Sequence, residues 1–221
     1  MQSPLELLRT EPLAFVMLAI SLVLALSLHE FAHAYAADLQ GDRYPRAMGR
    51  LTVNPAKHLD PLGTLLILLV GFGWAKPVPF RPAALRSQRF GAALVALAGP
   101  MMNLLLAIVG LIGLKLTVSE AFISGNTLFI NEEGLTAQIA VFWLSFSTIN
   151  VSLAVFNLLP LPPLDGSRLL TIFLPPKRQN IIYFLDKYGV FILLGLLIFG
   201  GFTFLKPIIE AVRQFLFDLV F

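Results

Sequence analysis

The most constraining feature of the sequence is an uncharged apolar run of 17 residues, 12–28, that leads directly into His29-Glu30-Phe31-Ala32-His33. About 20 apolar residues cross the hydrocarbon core of a bilayer, so this run predicts a membrane-spanning helix. Ionisable groups at membrane depth are costly unless they are paired or bind a metal, so His29, Glu30 and His33 indicate a functional site. The run is too long for a signal peptide, and we expect the mature protein to retain it.

The spacing of the two histidines predicts a metal site. On a helix, His29 and His33 lie one turn apart and project from the same face, so both imidazoles reach one ion. Two histidines, a carboxylate and a fourth position open to water are typical of catalytic zinc. Glu30 is displaced by about 100° round the helix, which favours a role as general base and general acid over one as ligand. The chain has no cysteine, which excludes thiolate ligands.

The composition predicts an integral membrane protein. Hydrophobic residues make up 57% of the chain and charged residues 13%, against about 25% charged in soluble domains. The net charge of +3 is expected from loops at a cytoplasmic membrane face and does not indicate nucleic-acid binding. We therefore predict a single domain over residues 1–221 that is all-α and polytopic. About four transmembrane helices are expected, within residues 12–37, 90–114, 134–164 and 188–205, followed by an interfacial C-terminal helix at 206–221.

Two further segments do not fit a simple span. Residues 61–75 are uncharged but few for a full crossing, which favours a re-entrant or interfacial helix. The alternating prolines of Lys76-Pro77-Val78-Pro79-Phe80 forbid a helix and predict a short membrane-associated β element. Lys76, Val78 and Phe80 keep backbone donors on one edge, with which an extended substrate could pair. A rigid membrane-surface linker is the alternative interpretation.

Polar residues near the spans supply the remaining candidates. Asn103 places an amide at membrane depth, either for interhelical hydrogen bonding or for contact with substrate. Asp165 follows a proline-rich stretch and is either the third metal ligand or an N-cap of the next helix. His58, in the loop after the first span, either binds a second metal, orients the site or lies in the loop interior. Residues 115–133 are expected to form an acidic connector.

The basic residues predict an orientation. Twelve of the sixteen fall in loops 38–60, 76–89 and 166–187, which share one side if 61–75 is re-entrant. By the positive-inside rule that side is cytoplasmic and the N-terminus lies outside. The same arrangement brings His33 and Asp165 near one membrane face, which favours Asp165 as a ligand. We expect an inner-membrane protein whose site lies nearer the cytoplasm.

The sequence resembles the site-2 protease family of intramembrane zinc metalloproteases, in particular its small bacterial branch without a PDZ domain. The resemblance is carried by His29-Glu30-Phe31-Ala32-His33, Ala98-Gly99-Pro100-Met101-Met102-Asn103 and the segment 157–166. It implies that one zinc ion is bound by His29, His33 and Asp165, with Glu30 as the acid and base. It also implies that Asn157 stabilises the oxyanion or positions substrate.

The resemblance further implies cleavage of transmembrane segments of other membrane proteins, with Lys76, Val78 and Phe80 clamping the unwound substrate. His58 is not one of the family's general ligands. Two alternatives remain from the residues alone. One is a zinc-dependent membrane hydrolase acting on a lipid amide or ester, and the other is a non-enzymatic metal-binding membrane protein.

Overall fold

The computed structural model describes residues 4–70, 73–118, 121–124, 127–130, 132–173 and 179–221. Most of these residues are helical. The helices are α1 (Pro4–Thr10), α2 (Pro12–Leu39), α3 (Tyr44–Ala47), α4 (Pro61–Val70), α5 (Gln88–Thr117), α6 (Gly134–Asn157), α7 (Gly166–Phe173), α8 (Gln179–Ile198) and α9 (Leu205–Val220). Short 3-10 turns occupy Pro55–Lys57 and Pro82–Ala84, and the strands are β1 (Ala121–Ser124) and β2 (Thr127–Ile130).

Three helices, α2, α5 and α6, are long and apolar enough to cross a membrane. They coincide with three of the predicted spans, and the chain is accordingly a mostly helical membrane protein. α2 begins with Pro12, whose fixed φ suits the first turn of a helix. α6 ends at Asn157, shortly before prolines that cannot continue a helix.

The fourth predicted span, 188–205, is not one helix. α8 begins at Gln179 and ends at Ile198, and α9 begins only at Leu205. Between them Gly200 adopts a φ of +68°, a conformation that glycine reaches without steric cost. The predicted bounds of this span, 188–205, are therefore wrong, because a turn between α8 and α9 lies inside them. That the chain crosses the membrane about four times stays a prediction.

The segment 61–75 returns to the place where it started. Leu59 and Ala75 pair as an isolated antiparallel bridge, so the two ends lie side by side. A Cβ on Gly63 would collide with the carbonyl of Trp74, which shows how closely the returning chain passes the start of α4. With 10 residues, α4 is about 15 Å long, half of a hydrocarbon core of about 30 Å. The two ends of the segment therefore lie close together, and its re-entrant or interfacial course in the membrane stays a prediction.

The β structure differs from the prediction. Residues 76–80 are extended but belong to no described strand, whereas β1 and β2 form an antiparallel hairpin with Ala121 opposite Ile130. This hairpin lies in the stretch 115–133, which was predicted to be only an acidic connector. The membrane-associated β element at 76–80 stays a prediction.

α5 lies at the centre of the fold and packs on α2, α6, α7 and α9. A buried cluster joins α5, α6 and α9 through Leu111, Leu114, Val151, Leu216 and Phe217. The opposite half of α5 packs on the end of α2, and the buried polar residues His29, Glu30, His33 and Asn103 belong to these two helices. The basic residues Lys177 and Arg178, used in the orientation argument, lie outside the described residues.

Candidate metal centre

The last third of α2 carries two histidines that face one another. His29 and His33 are 5% and 8% exposed, and their Nε2 atoms lie 3.0 Å apart. The spacing of four residues produces this arrangement, because side chains at i and i+4 project from the same face of a helix. The predicted pair is therefore formed within the helix bundle.

Asp165 completes a group of three. Its Oδ2 atom lies 3.1 Å from Nε2 of His29 and 3.3 Å from Nε2 of His33. A Cβ at Gly166 would meet the carbonyls of Leu158 and Leu159, so the chain folds back tightly after α6 and directs Asp165 at α2. Of the two interpretations of Asp165, the ligand one fits this placement, since Oδ2 points at the histidines and not at the start of α7.

The protonation pattern of the histidines fits a metal ion. Nδ1 of His29 lies 2.6 Å from Oδ1 of Asn103, and Nδ1 of His33 lies 2.7 Å from the Val95 carbonyl. Both partners are acceptors, so each Nδ1 carries a proton, and in the neutral imidazole each Nε2 then presents a lone pair. Two such lone pairs and a carboxylate oxygen converge here, an arrangement that suits a bound cation.

The separations of the ligand atoms agree with tetrahedral zinc. Bonds of 2.0–2.1 Å at tetrahedral angles hold neighbouring ligand atoms roughly 3.3 Å apart, close to the 3.0–3.3 Å observed here. Within the described part of the chain, His29, His33 and Asp165 are the candidate ligand group that meets these distances. The residues present therefore fit the predicted ion.

Gly99 allows α5 to lie against both ligands. A Cβ at this position would be 2.5 Å from Cε1 of His29 and 2.5 Å from Nε2 of His33. Real Cβ atoms do not approach other atoms so closely, so no side chain fits between α5 and the ligand pair. The glycine of the Gly99-Pro100 motif thus has a steric role in the site.

Glu30 is not a member of the ligand group. It is 9% exposed, and its Oε2 accepts a hydrogen bond of 3.0 Å from the backbone N–H of Val78. The neighbouring Lys76 N–H donates to the His58 carbonyl at 2.7 Å. In this structure both donors therefore bond to the protein's own acceptors, and their pairing with an extended substrate stays a prediction.

The extended segment lines a cleft of about 630 Å³ beside the site. The cleft wall includes Val78 and Phe80 from the segment, Arg89 from α5 and Arg168 from α7. Phe80 also packs on the cluster of Ala37, Leu85, Ala92 and Val95. Contact of Lys76, Val78 and Phe80 with substrate stays a prediction, which this cleft supports for Val78 and Phe80.

His58 lies in the interior of its loop. It is 0% exposed, and its Nε2 lies 2.7 Å from the Thr52 carbonyl. The candidate ligand group found among the described residues does not include it. Of the three interpretations of His58, the loop interior agrees with the structure.

The two predicted amides contact the protein itself. Asn103 is 0% exposed and makes interhelical contacts, one of its two predicted roles, including one to His29. Its contact with substrate stays a prediction. Asn157 is partly buried and donates to the Leu153 carbonyl of its own helix at 3.0 Å. Its role at the oxyanion stays a prediction.

Sequence reasoning missed Asn150. This residue is 0% exposed, and its Oδ1 accepts a bond of 2.8 Å from Nδ2 of Asn103. A signal was present, because Asn150 lies inside a long uncharged run and two helical turns before Asn157. An amide at membrane depth needs a polar partner, and Asn103 was the candidate amide in the neighbouring span.

Comparison with known proteins identifies relatives over most of the chain. The profile of peptidase family M50 matches residues 17–199. The chain is 39% identical over 204 residues to a Bacillus subtilis (strain 168) protein named "Putative zinc metalloprotease YwhC", with 91% of this chain and 90% of that protein covered.

Two mycobacterial proteins, each named "Putative zinc metalloprotease Rip2", are also similar to the chain. The identity is 31% over 215 residues for Mycolicibacterium smegmatis, covering 94% of this chain and 72% of that protein. It is 30% over 227 residues for Mycobacterium tuberculosis (strain H37Rv), covering 95% and 77%. No solved structure is significantly similar to the chain.

Proposed function

Because the chain belongs to peptidase family M50, we propose that His29, His33 and Asp165 form the active site of an intramembrane zinc metalloprotease. The observation that carries this assignment is the convergence of two Nε2 atoms and one carboxylate oxygen within a bundle of helices that are apolar enough to span a membrane. The substrates are membrane proteins, cleaved within or near their transmembrane segments. The family and the named relatives favour neither a lipid hydrolase nor a non-enzymatic protein.

The three residues would hold one zinc ion. When bound, zinc polarises the scissile carbonyl and lowers the pKa of water, which are the two contributions that peptide hydrolysis needs at neutral pH. The protein's contribution is to fix the ligands. Nδ1 of each histidine is held by an acceptor on α5, and Gly99 brings that helix against the pair.

Glu30 moves the proton in our scheme. As a carboxylate it takes a proton from the attacking water as the new C–O bond forms, and it gives that proton to the amine as the C–N bond breaks. The Val78 N–H holds Oε2 and leaves Oε1 without a described bond, so one oxygen is oriented while the other is available. This is the HExxH arrangement in which the glutamate lies beside the ligands without joining them.

The substrate must be extended before it can react, because a helix hides its carbonyls in hydrogen bonds between residues four apart. We propose that it lies along residues 76–80, in the cleft walled by Val78 and Phe80. Pairing with Lys76 and Val78 then requires the exchange of their present bonds to His58 and Glu30. The Nδ2 group of Asn157 would stabilise the oxyanion once its hydrogen bond to the Leu153 carbonyl is broken.

We also propose the orientation predicted above, in the inner membrane with the site nearer the cytoplasm and the N-terminus outside. The adjacent ends of the re-entrant segment support it, since they keep the loops 38–60 and 76–89 on one side. The core of the single domain would comprise residues 12–205. α9, with Phe215 and Leu219 exposed and Leu216 and Phe217 buried, suits the interface.

The test compares the parent with Glu30→Gln and Asp165→Ala in detergent. Each is assayed for zinc content and for cleavage of a panel of single-span reporter proteins. We expect about one zinc in the parent and in Glu30→Gln, little in Asp165→Ala, and cleavage within the span by the parent alone. Full activity of Glu30→Gln would refute its role in proton transfer. A parent without zinc that still cleaves would refute the metal centre.

A further inference from the structure

We infer that Asn150, on α6, is a positioning residue that fixes the proton-bearing nitrogen of His29 and thereby its ability to bind zinc. The inference rests on the proposed zinc site and assigns a role to a residue that touches neither metal nor substrate. The role depends on a chain of hydrogen bonds that begins at a main-chain carbonyl of α6 and continues through the side-chain amides of Asn150 and Asn103 to the imidazole of His29.

The first step orients Asn150. Its Nδ2 donates to the Phe146 carbonyl at 2.9 Å, a contact that only the amide nitrogen can make because a carbonyl only accepts. The Oδ1 atom of Asn150 is therefore turned towards α5. Asn150 is 0% exposed, so bulk water does not compete for that oxygen.

The second step orients Asn103. Oδ1 of Asn150 accepts a bond of 2.8 Å, so the atom of Asn103 that faces it must be the donor, Nδ2. Nδ2 also lies 3.4 Å from the Ala25 carbonyl, another acceptor that favours the same orientation. The remaining atom, Oδ1 of Asn103, then faces Nδ1 of His29 at 2.6 Å.

The third step fixes His29. Because Oδ1 of Asn103 accepts, Nδ1 of the neutral imidazole carries the proton and Nε2 is left with a lone pair towards Asp165. If Asn103 turned by 180°, its NH2 would face Nδ1 and favour the other tautomer, in which Nε2 is protonated and cannot bind a metal. Asn150, whose contact with Nδ2 is shorter than that of the Ala25 carbonyl, is the main acceptor that makes this rotation unfavourable.

His33 needs no such arrangement. Its Nδ1 lies 2.7 Å from the Val95 carbonyl, a main-chain acceptor that cannot rotate. The two ligands on α2 are thus fixed by different means. A main-chain carbonyl of α5 fixes His33, whereas Asn150 of α6 fixes His29 through Asn103 of α5. The chain of bonds from Phe146 to His29 joins the three apolar helices and explains why both asparagines are buried.

The experiment measures zinc affinity by competition with a chelator for the parent, Asn150→Leu, Asn150→Asp and Ser152→Ala. Leu has similar volume but no acceptor, and we expect affinity to fall by roughly 10-fold, the lower end of the effect of losing a direct partner of a ligating histidine, because Asn103 itself remains. A protonated Asp keeps an acceptor for Asn103 and should bind nearly as the parent does. Ser152→Ala removes a bond of 2.8 Å to the Thr148 carbonyl of the same helix and should change nothing.

A second measurement observes the tautomer of His29 directly. In the metal-free parent labelled with 15N-histidine, His29 should show the tautomer with the proton on Nδ1, and in Asn150→Leu that preference should be lost. Parent affinity in Asn150→Leu, or a proton on Nε2 of His29 in the metal-free parent, would overturn the inference. Absence of zinc binding in the parent would instead refute the zinc site itself, so the two failures are distinguishable.

Discussion

The backbone N–H of Val78 donates to Oε2 of Glu30 at 3.0 Å, although 48 residues separate the two positions. The contact joins the extended segment to the helix that carries the ligands. It places the acid and base of the proposed reaction beside the element proposed to align the substrate. The two functions are therefore coupled through one hydrogen bond.

Replacing Val78 with proline should remove that donor and leave the segment extended, since its neighbours are already prolines. A hydrogen bond to a charged group contributes about 1.5–3 kcal/mol, so we expect roughly a tenfold to hundredfold loss of cleavage with zinc content unchanged. Val78→Ala keeps the N–H and is the matched control. Faster cleavage by Val78→Pro would contradict this expectation and would mean that the contact restrains Glu30.

Gly99→Ala should destroy the metal centre without disturbing other parts of the fold. Its Cβ would lie 2.5 Å from atoms of both histidines, so α5 or the ligands must move. We expect zinc content far below that of the parent, measured on protein that elutes as the parent does in gel filtration. Gly195→Ala is the control, because a Cβ there has no atom within 4 Å. Normal zinc binding by Gly99→Ala would show that the helices adjust.

The pairing of His29 and His33 could be predicted from the sequence because helix periodicity places them on one face. Asp165 is distant in the chain, and the residues around it allowed either a ligand or an N-cap. Only the predicted orientation and the family resemblance favoured the ligand. The three long apolar helices were predictable because length and hydropathy are properties of a single segment.

The parts that could not be predicted depend on contacts between distant segments. The bonds from Val78 to Glu30 and from Lys76 to His58 occupy an edge that looks free in the sequence. Asn150 acquires its role only because Asn103 is opposite it in the folded bundle. The end of α8 was misplaced because glycines in an apolar run are compatible with both a helix and a turn.

His58→Ala should lower the free energy of unfolding and leave zinc binding unchanged. The substitution removes the contact between Nε2 and the Thr52 carbonyl from a fully buried position. We expect a loss of about 1–3 kcal/mol in the free energy of unfolding, seen as a lower thermal midpoint, with about one zinc retained. His33→Ala provides the contrast, because it should lose zinc. A fall in metal content in His58→Ala would instead assign this histidine to a metal site.

The proposed re-entrant course of residues 61–75 predicts a pattern of chemical accessibility. The chain has no cysteine, so single cysteines can be placed at Val53, Ser87 and Glu133, all of which are exposed, and probed with a membrane-impermeant maleimide. Because Leu59 and Ala75 are paired, Val53 and Ser87 should lie on one side of the membrane and react only after cells are opened. Glu133 follows the next span and should react in intact cells. Labelling of Ser87 but not Val53 in intact cells would show that the segment crosses the membrane, and it would place Asp165 on the face opposite to His33.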